Sequence, residues 1–401
     1  MISAFILSIA LNSQKRDEHI EVVTKSFSSD ATPQIESKKT IVTTKPNIVI
    51  VKKNLVEEKI EMPEIIKSKK REIRLQRLKN EIYLRNYCTN TNIDATYAYY
   101  NKLRIDSGMT ALKRNNVLER SANNHAKYLY ENFDYIPHDL SMHLEDYSML
   151  FFTGQKPYER ALSEGYFAKT VSEGIAFAYT AKQSLDGLMT AIYHRFGILD
   201  FDIDEVGVSN YLITNNCMFS FVHNPSISIV NDLCQQDLNT SMDELAICKE
   251  DKGISRSLYR DTLDAINKKN PPYVLYPPNN STNIIRAFYG EIPDPMPDKE
   301  FTANPVSIQF NPYFYKNHSI EMSSFTIREV EKKEFLDARI INQKNDPNHH
   351  FNRYEFALFA FNIFDFSQNY IVEFKYRIDN KEQEPIIWRF STGYKTNYRE
   401  F

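Results

Sequence analysis

Three residues in the middle of the chain are of types that could do chemistry together: His143, Glu173 and His194. Two imidazoles and a carboxylate can supply three ligands to a zinc ion and leave a fourth position for water. That makes the trio a candidate metal centre for a divalent ion, with His143 and His194 as its nitrogen donors. It could also perform acid–base work, with Glu173 raising the proton affinity of the imidazoles. If Glu173 acted as base on a zinc-bound water, the product would be a hydrolase for peptide or cell-wall substrates. The plainer reading is a hydrogen-bonded polar cluster that holds loops together. No His-Glu-x-x-His run is present to decide the matter by spacing.

Glu145, Tyr193 and Glu205 are candidates to line the same cleft. Glu205 precedes a Val-Gly-Val run and is either a cleft carboxylate or a residue that starts a strand and caps a helix; the second is preferred. His138, preceded by Pro137, competes with His143 for its place. His125 falls on the apolar face of a helix, where a hydrogen-bonded core histidine is expected. His349 and His350 sit in a turn and are expected to face solvent. No serine is framed as Gly-x-Ser-x-Gly, and no Gly-rich phosphate loop exists, so neither a hydrolase elbow nor a nucleotide site is supported.

The elements that must position these residues are legible in outline. The chain has 10 glycines, most of them between Gly108 and Gly207, so this segment carries turns of demanding geometry. Asp94 can cap a helix over 95–105 that Gly108 ends. A second helix over 112–132 places Leu118, Ala122, His125, Ala126 and Leu129 on one face. Pro157 and Gly165 bracket a short helix. Leu185, Leu188, Met189 and Ile192 mark the buried stripe of another, with Ser184 as its cap, which runs out at Tyr193-His194-Arg195. Residues 206–209 and 218–222 alternate as strands. His143 then lies in a loop, Glu173 at the start of a strand and His194 at a helix end, so three elements could converge on one cleft.

Around this block the chain divides further. A length of 401 residues suggests two or three domains. Residues 1–20 hold an apolar run read as a signal segment or as an apolar N-terminus without one. Residues 21–85 form a tether too polar to bury a core, ending in a basic amphipathic run over 67–85. That run is either a solvated helix face or a contact for an anionic membrane or cell-wall polymer. Residues 86–224 carry the chemistry, 225–270 form a helical linker, and 271–401 show short alternating runs with turn signals, an all-β sandwich. Lys and Arg number 49 against 52 Asp and Glu, which gives no case for nucleic acid as a partner. Cysteines at 88, 217, 234 and 248 form no Cys-x-x-Cys pair and allow three pairings. They are compatible with an oxidising compartment. The apolar run at the start is too short to span a bilayer, and no other stretch approaches transmembrane length.

Several short stretches, in order, resemble the CAP superfamily of cysteine-rich secretory proteins, antigen 5 and plant pathogenesis-related proteins, and its bacterial branch most of all. They are Asn101-x-x-Arg104 with Gly108, Ala122-x-x-His125-Ala126, His143-x-Glu145, and Phe152-Thr153-Gly154 with Pro157, Arg160-Ala161 and Gly165-Tyr166. Ser172-Glu173, Leu188-Met189-x-Ala191-Ile192-Tyr193-His194-Arg195 and Glu205-Val206-Gly207-Val208 close the series. The resemblance covers about residues 90–224. It implies an α-β-α sandwich, within an α+β chain, whose cleft carries two His and two Glu. His143, Glu173 and His194 take three of those positions. The second glutamate has no match in the helix before His194, where Thr190 and Ala191 stand; Glu145 or Glu205 would have to substitute. Family members are mostly secreted and have been linked to lipids, sterols, metals and proteolysis. The region after 271 is similar to Ig-like modules of bacterial surface proteins. The expectation is a secreted or cell-envelope interaction protein, with a cleft for a divalent metal or a small apolar, lipid-like or sterol-like ligand and an extracellular or envelope partner.

Overall fold

The structure, a computed structural model, describes residues 93–137, 140–212, 218–236 and 244–394. The readings of residues 1–85, and of Cys88, Cys217 and His138, lie outside the described residues.

Helix α1 (Ile93–Asp106) ends at Gly108, whose φ of +85° is the left-handed conformation that favours glycine. Helix α2 (Asn116–Asn132) begins later than the periodicity predicts. The Asn115 side chain accepts the Val117 and Leu118 N–H groups and fixes the start there. The residues just before it form strand β1 (Lys113–Arg114), parallel to β3 (Glu205–Leu212). Helix α3 (Pro157–Ser163) has its proline in the first turn, and Gly165 follows at φ +96°. The next predicted helix is in fact two. Thr180, not Ser184, caps α4 (Ala181–Thr190) through the Gln183 N–H. Ala191 is extended at φ −81° and ψ 114°, so α5 (Ile192–Ile198) starts afresh.

Strands β2 (Gly174–Ala178), β3 and β4 (Phe219–Ser226) complete a sheet of order β1-β3-β4-β2. Successive residues of β2 face opposite layers, as the two-residue strand period requires. Ile175 and Phe177 pack with Ala122, Ala126 and Leu129 of α2, whereas Ala176 packs with Tyr97 and Tyr100 of α1 and Leu185 and Leu188 of α4. The result is an α-β-α sandwich. A β-carbon at Gly207 would stand 2.1 Å from the Leu118 carbonyl carbon, so glycine is what lets α2 lie this close to β3.

Residues 228–267 are not a detached linker. Helix α6 (Ser228–Cys234), a hairpin of β5 (Glu244–Leu245) and β6 (Ile254–Ser255), and helix α7 (Arg256–Asn267) share a core with Leu118, Ala161 and Tyr166. A Cys234–Cys248 disulfide closes this excursion.

The C-terminal region is β-rich. Strands β7 (Tyr273–Tyr276), β8 (Ser281–Ile284), β9 (Ala287–Phe288), β10 (Thr302–Ala303), β11 (Val306–Phe310), β12 (Ile320–Glu329), β13 (Ala338–Asn342), β14 (Glu355–Ala360), β15 (Asn369–Ile378), β16 (Lys381–Glu382) and β17 (Ile386–Thr392) follow in order. One sheet runs β13-β14-β11-β7 and the other β12-β15-β17-β8. Ile308, Phe310, Phe356 and Leu358 of the first meet Phe325, Phe374, Trp388 and Phe390 of the second in one core. The alternating runs expected after residue 271 correspond to strands β11, β12, β14, β15 and β17. The short β7 to β10 carry prolines and polar residues between them and gave no alternating signal. A second apolar cluster joins Ala191, Ile192, Tyr193 and Phe196 to Phe288, Met296, Ile341, Phe351, Ala357 and Phe359. Helix α5 is therefore buried in the β region. Among the described residues no helix is long and apolar enough to cross a membrane.

Candidate functional site

The turn after α2, the start of β2 and helix α3 bring charged and ionisable groups into one buried network. His143 Nδ1 lies 3.0 Å from Glu173 Oε1, and Arg160 Nη2 of α3 donates to Glu173 Oε2 at 2.6 Å. The same guanidinium donates to the carbonyls of His143 and Gln155 at 3.1 and 3.2 Å. His125 Nε2 donates to the Met142 carbonyl at 2.9 Å, and its Nδ1 lies 3.0 Å from Glu145 Oε1. Glu145 Oε2 accepts the Thr153 N–H at 2.6 Å and the Gly154 N–H at 3.4 Å. These five side chains, His125, His143, Glu145, Arg160 and Glu173, are all buried. Burial opposes ionisation of Glu173, but Arg160 first, then His125 and His143, hold its carboxyl well below the usual range. Burial pushes the His143 pKa down, so its ring is neutral and donates Nδ1–H to the carboxylate.

Both carboxylate oxygens of the buried Glu173 therefore accept a hydrogen bond from within the protein. His125, expected as a satisfied core histidine, is one, and it links Glu145 to the network. Glu145 does not substitute for a missing cleft glutamate; it holds the backbone of the 153–154 turn. Glu205 lies apart. It accepts Asn115 Nδ2 at 2.8 Å and the Tyr166 hydroxyl at 2.6 Å, so it ties the α2 cap to β3.

Helix α5 sends three consecutive side chains into the β region. The Tyr193 hydroxyl donates to Asp346 and accepts from Asn348 Nδ2 at 3.0 Å. His194 Nδ1 lies 2.8 Å from Glu291 Oε2, and the Tyr193 N–H donates to the same oxygen at 3.2 Å. Arg195 donates to the Met189 and Pro305 carbonyls, to Ser307 Oγ and to Asn304 Oδ1, and stacks on Tyr276 with 4.1 Å from its guanidinium carbon to the ring centre. Burial pushes the Glu291 pKa well up and that of His194 well down. Sequence reasoning missed Glu291. It stands 97 positions from His194 in a Gly-Glu-Ile-Pro stretch, and only the docking of two regions brings the pair together.

A cavity of about 20 Å³ lies beside His194, bounded by Tyr100, Ser172, Glu173, Leu188 and His223 among others. That is room for about one water molecule. His194 Nε2 and both ring nitrogens of His223 have no hydrogen-bond partner among the described residues. His223, on β4 opposite Gly174, is the second residue that sequence reasoning missed; burial pushes its pKa down to about 4. Of the expected cleft set, Glu173 and His194 border this cavity, whereas His143, Glu145, Tyr193 and Glu205 do not.

A catalytic zinc needs about three protein ligands and an open position. Among the described residues no three His, Cys, Asp or Glu side chains are grouped so as to hold a metal ion. Of the two carboxylates beside the expected nitrogen donors, Glu173 is paired with the Arg160 guanidinium, which would also repel a dication, and Glu291 is held by His194 and the Tyr193 N–H. The donor set does not fit the zinc centre expected from the sequence.

The family comparison agrees with the architecture. Residues 97–223 match the family model described as the cysteine-rich secretory protein family, CAP. The α-β-α sandwich is thus a CAP domain, followed by a β-rich region. Among solved structures the chain is similar to an outer surface protein from Borrelia burgdorferi, with 20% identity over 33% of this chain and 90% of that one, at a TM-score of 0.27. Among curated proteins no match is found.

Proposed function

We infer that the protein is an interaction protein working outside the cell, and that its His/Glu cluster is structural. The observation that carries this is the enclosure of the cluster: His143, Glu173 and His194 are 0%, 1% and 3% exposed. The cavity beside them is far too small for a peptide, a glycan or a lipid. The CAP match and the Cys234–Cys248 disulfide favour an extracellular setting.

The buried network holds a loop in place. Glu145 fixes the 153–154 backbone, the Tyr128 hydroxyl accepts the Asp146 N–H, and Asn132 Nδ2 donates to the Leu150 carbonyl. That loop, with the end of α2, leaves Tyr135, Leu144, Tyr147, Leu150 and Phe152 between 38% and 85% exposed. Tyrosines and large apolar side chains on a pre-organised loop are the residue types that anchor partners. In this reading the network keeps the loop rigid and an envelope or extracellular partner meets its tip.

The competing class is a hydrolase. The test is a panel of peptide and cell-wall glycan substrates against the parent chain and Glu173→Gln. The expected result is no turnover in the parent and a lowered melting temperature in the variant. Turnover in the parent that disappears in a folded Glu173→Gln would establish the hydrolase and overturn this reading. Metal analysis of the purified chain is expected to find no stoichiometric zinc that depends on His143 and His194.

A further inference from the structure

The loop between α2 and α3 is held in a costly backbone conformation at one residue. Phe151 has φ of 63°, in the left-handed region that a bulky side chain rarely adopts. Its ring lies beneath the Lys127 ammonium, 4.0 Å from the ring centre, and packs against the core cluster of Ile136 and Met142. Strain of this kind persists where surrounding contacts over-determine it, and it concentrates at ligand-binding sites and switches. On either side of Phe151, Leu150 and Phe152 are exposed. Asn132 Nδ2 donates to the Leu150 carbonyl at 2.9 Å and ties the loop to the end of α2, which adds Tyr135 to the same surface. Tyr147, at 85% exposed, is its most prominent side chain.

The charges of this stretch have one sign. From Tyr128 to Gln155 the sequence holds Glu131, Asp134, Asp139, Glu145 and Asp146, and not one Lys or Arg. Glu145 is buried on the 153–154 backbone, whereas Asp134 and Asp146 are exposed next to Tyr135 and Tyr147. Asp146 accepts the Ser148 N–H and hydroxyl at 2.8 and 2.7 Å. Those bonds hold its carboxyl below the usual carboxylate range, so it is charged at neutral pH. Tyrosine faces attract ammonium and guanidinium groups, and a carboxylate beside the ring offers them a charge-assisted hydrogen bond. We propose, resting on the interaction reading above, that this surface binds a protein segment in which lysine or arginine stands beside apolar residues. A lipid surface could bury the same aromatic side chains, but Asp134 and Asp146 would face anionic headgroups where basic residues are needed.

The probe is a phage-displayed library of random peptides, selected on the full chain and depleted on Tyr147→Ser. The retained peptides should be enriched in lysine or arginine together with leucine or aromatic residues. Their affinity should fall about tenfold in Leu150→Ser, as for an anchor residue, and by a similar factor in Asp134→Lys. It should also weaken as salt is raised. Glu384→Lys, an equal change of charge on the β region, should leave it unaltered. All four of these side chains are exposed, so each variant should keep the parent's melting temperature. Retained peptides that are neutral or acidic, or that bind Asp134→Lys as tightly as the parent, overturn the proposal. Tyr147-dependent flotation with phosphatidylglycerol vesicles also overturns it and makes the occupant a membrane. A library that yields no Tyr147-dependent peptide overturns the surface itself. The interaction reading falls separately, to turnover in the parent that a folded Glu173→Gln abolishes.

Discussion

Replacing Arg160 by methionine is the sharpest test of the buried network. Arg160 is fully buried and donates at 2.6 Å to Glu173, which is itself buried. Methionine keeps much of the apolar volume and removes the charge. It leaves Glu173 as an uncompensated carboxylate and strips the His143 and Gln155 carbonyls of their donor. Breaking a buried pair in this way costs about 3–5 kcal/mol. At roughly 2–4 °C per kcal/mol, the melting temperature should fall by about 6–20 °C, toward the lower end for a unit this large. The pH dependence has a definite sign. Glu173 is depressed in the folded state, so its stabilisation is present above the unfolded value of 4.5 and is lost as the pH falls through the folded value. The variant forfeits that contribution, so its deficit should be full at pH 7 and narrow below 4.5. Urea and thermal denaturation followed by circular dichroism at pH 7 and pH 4 would measure both. A variant within about 1 kcal/mol of the parent at pH 7, or a deficit that widens in acid, would refute the assignment of Arg160 as the counter-ion of the cluster.

The isolated 86–224 fragment would expose Ile192, Tyr193 and Phe196 and deprive His194 and Arg195 of their partners in the β region. It should be aggregated or poorly ordered in size-exclusion and NMR measurements, and a monodisperse, well-dispersed fragment would count against the shared core. Cys234→Ser with Cys248→Ser opens a loop of sequence separation 14. By loop entropy that should cost about 3 kcal/mol under oxidising conditions, measured against the reduced parent, which should lose the same amount.

Much of the fold was legible because short-range chemistry decided it. Asn115 and Thr180 took helix starts from neighbouring positions, since a side-chain oxygen must reach a free N–H and periodicity alone does not say which residue does. The break at Ala191 left no proline or glycine to announce it. Its cause is tertiary: α5 packs against Phe288, Phe351 and Phe359, far along the chain. The trio was legible as a set of residue types, but the role of each depended on partners. Arg160 was visible only as part of a motif, and its place on Glu173 turns an apparent base into half of an ion pair.

The sequence by itself determined the CAP architecture, the order of helices and strands through the sandwich, and the β-rich character of the C-terminal region. Periodicity, caps and glycines act over a few residues and leave marks there. Only the tertiary structure decided that the Tyr193-His194-Arg195 run serves the seam between the two regions, with Asp346, Glu291 and Asn304 as its partners. Those partners lie 97 to 153 positions away. Burial and charge neutrality, which set what each of these groups can do, exist only once the chain has closed around them.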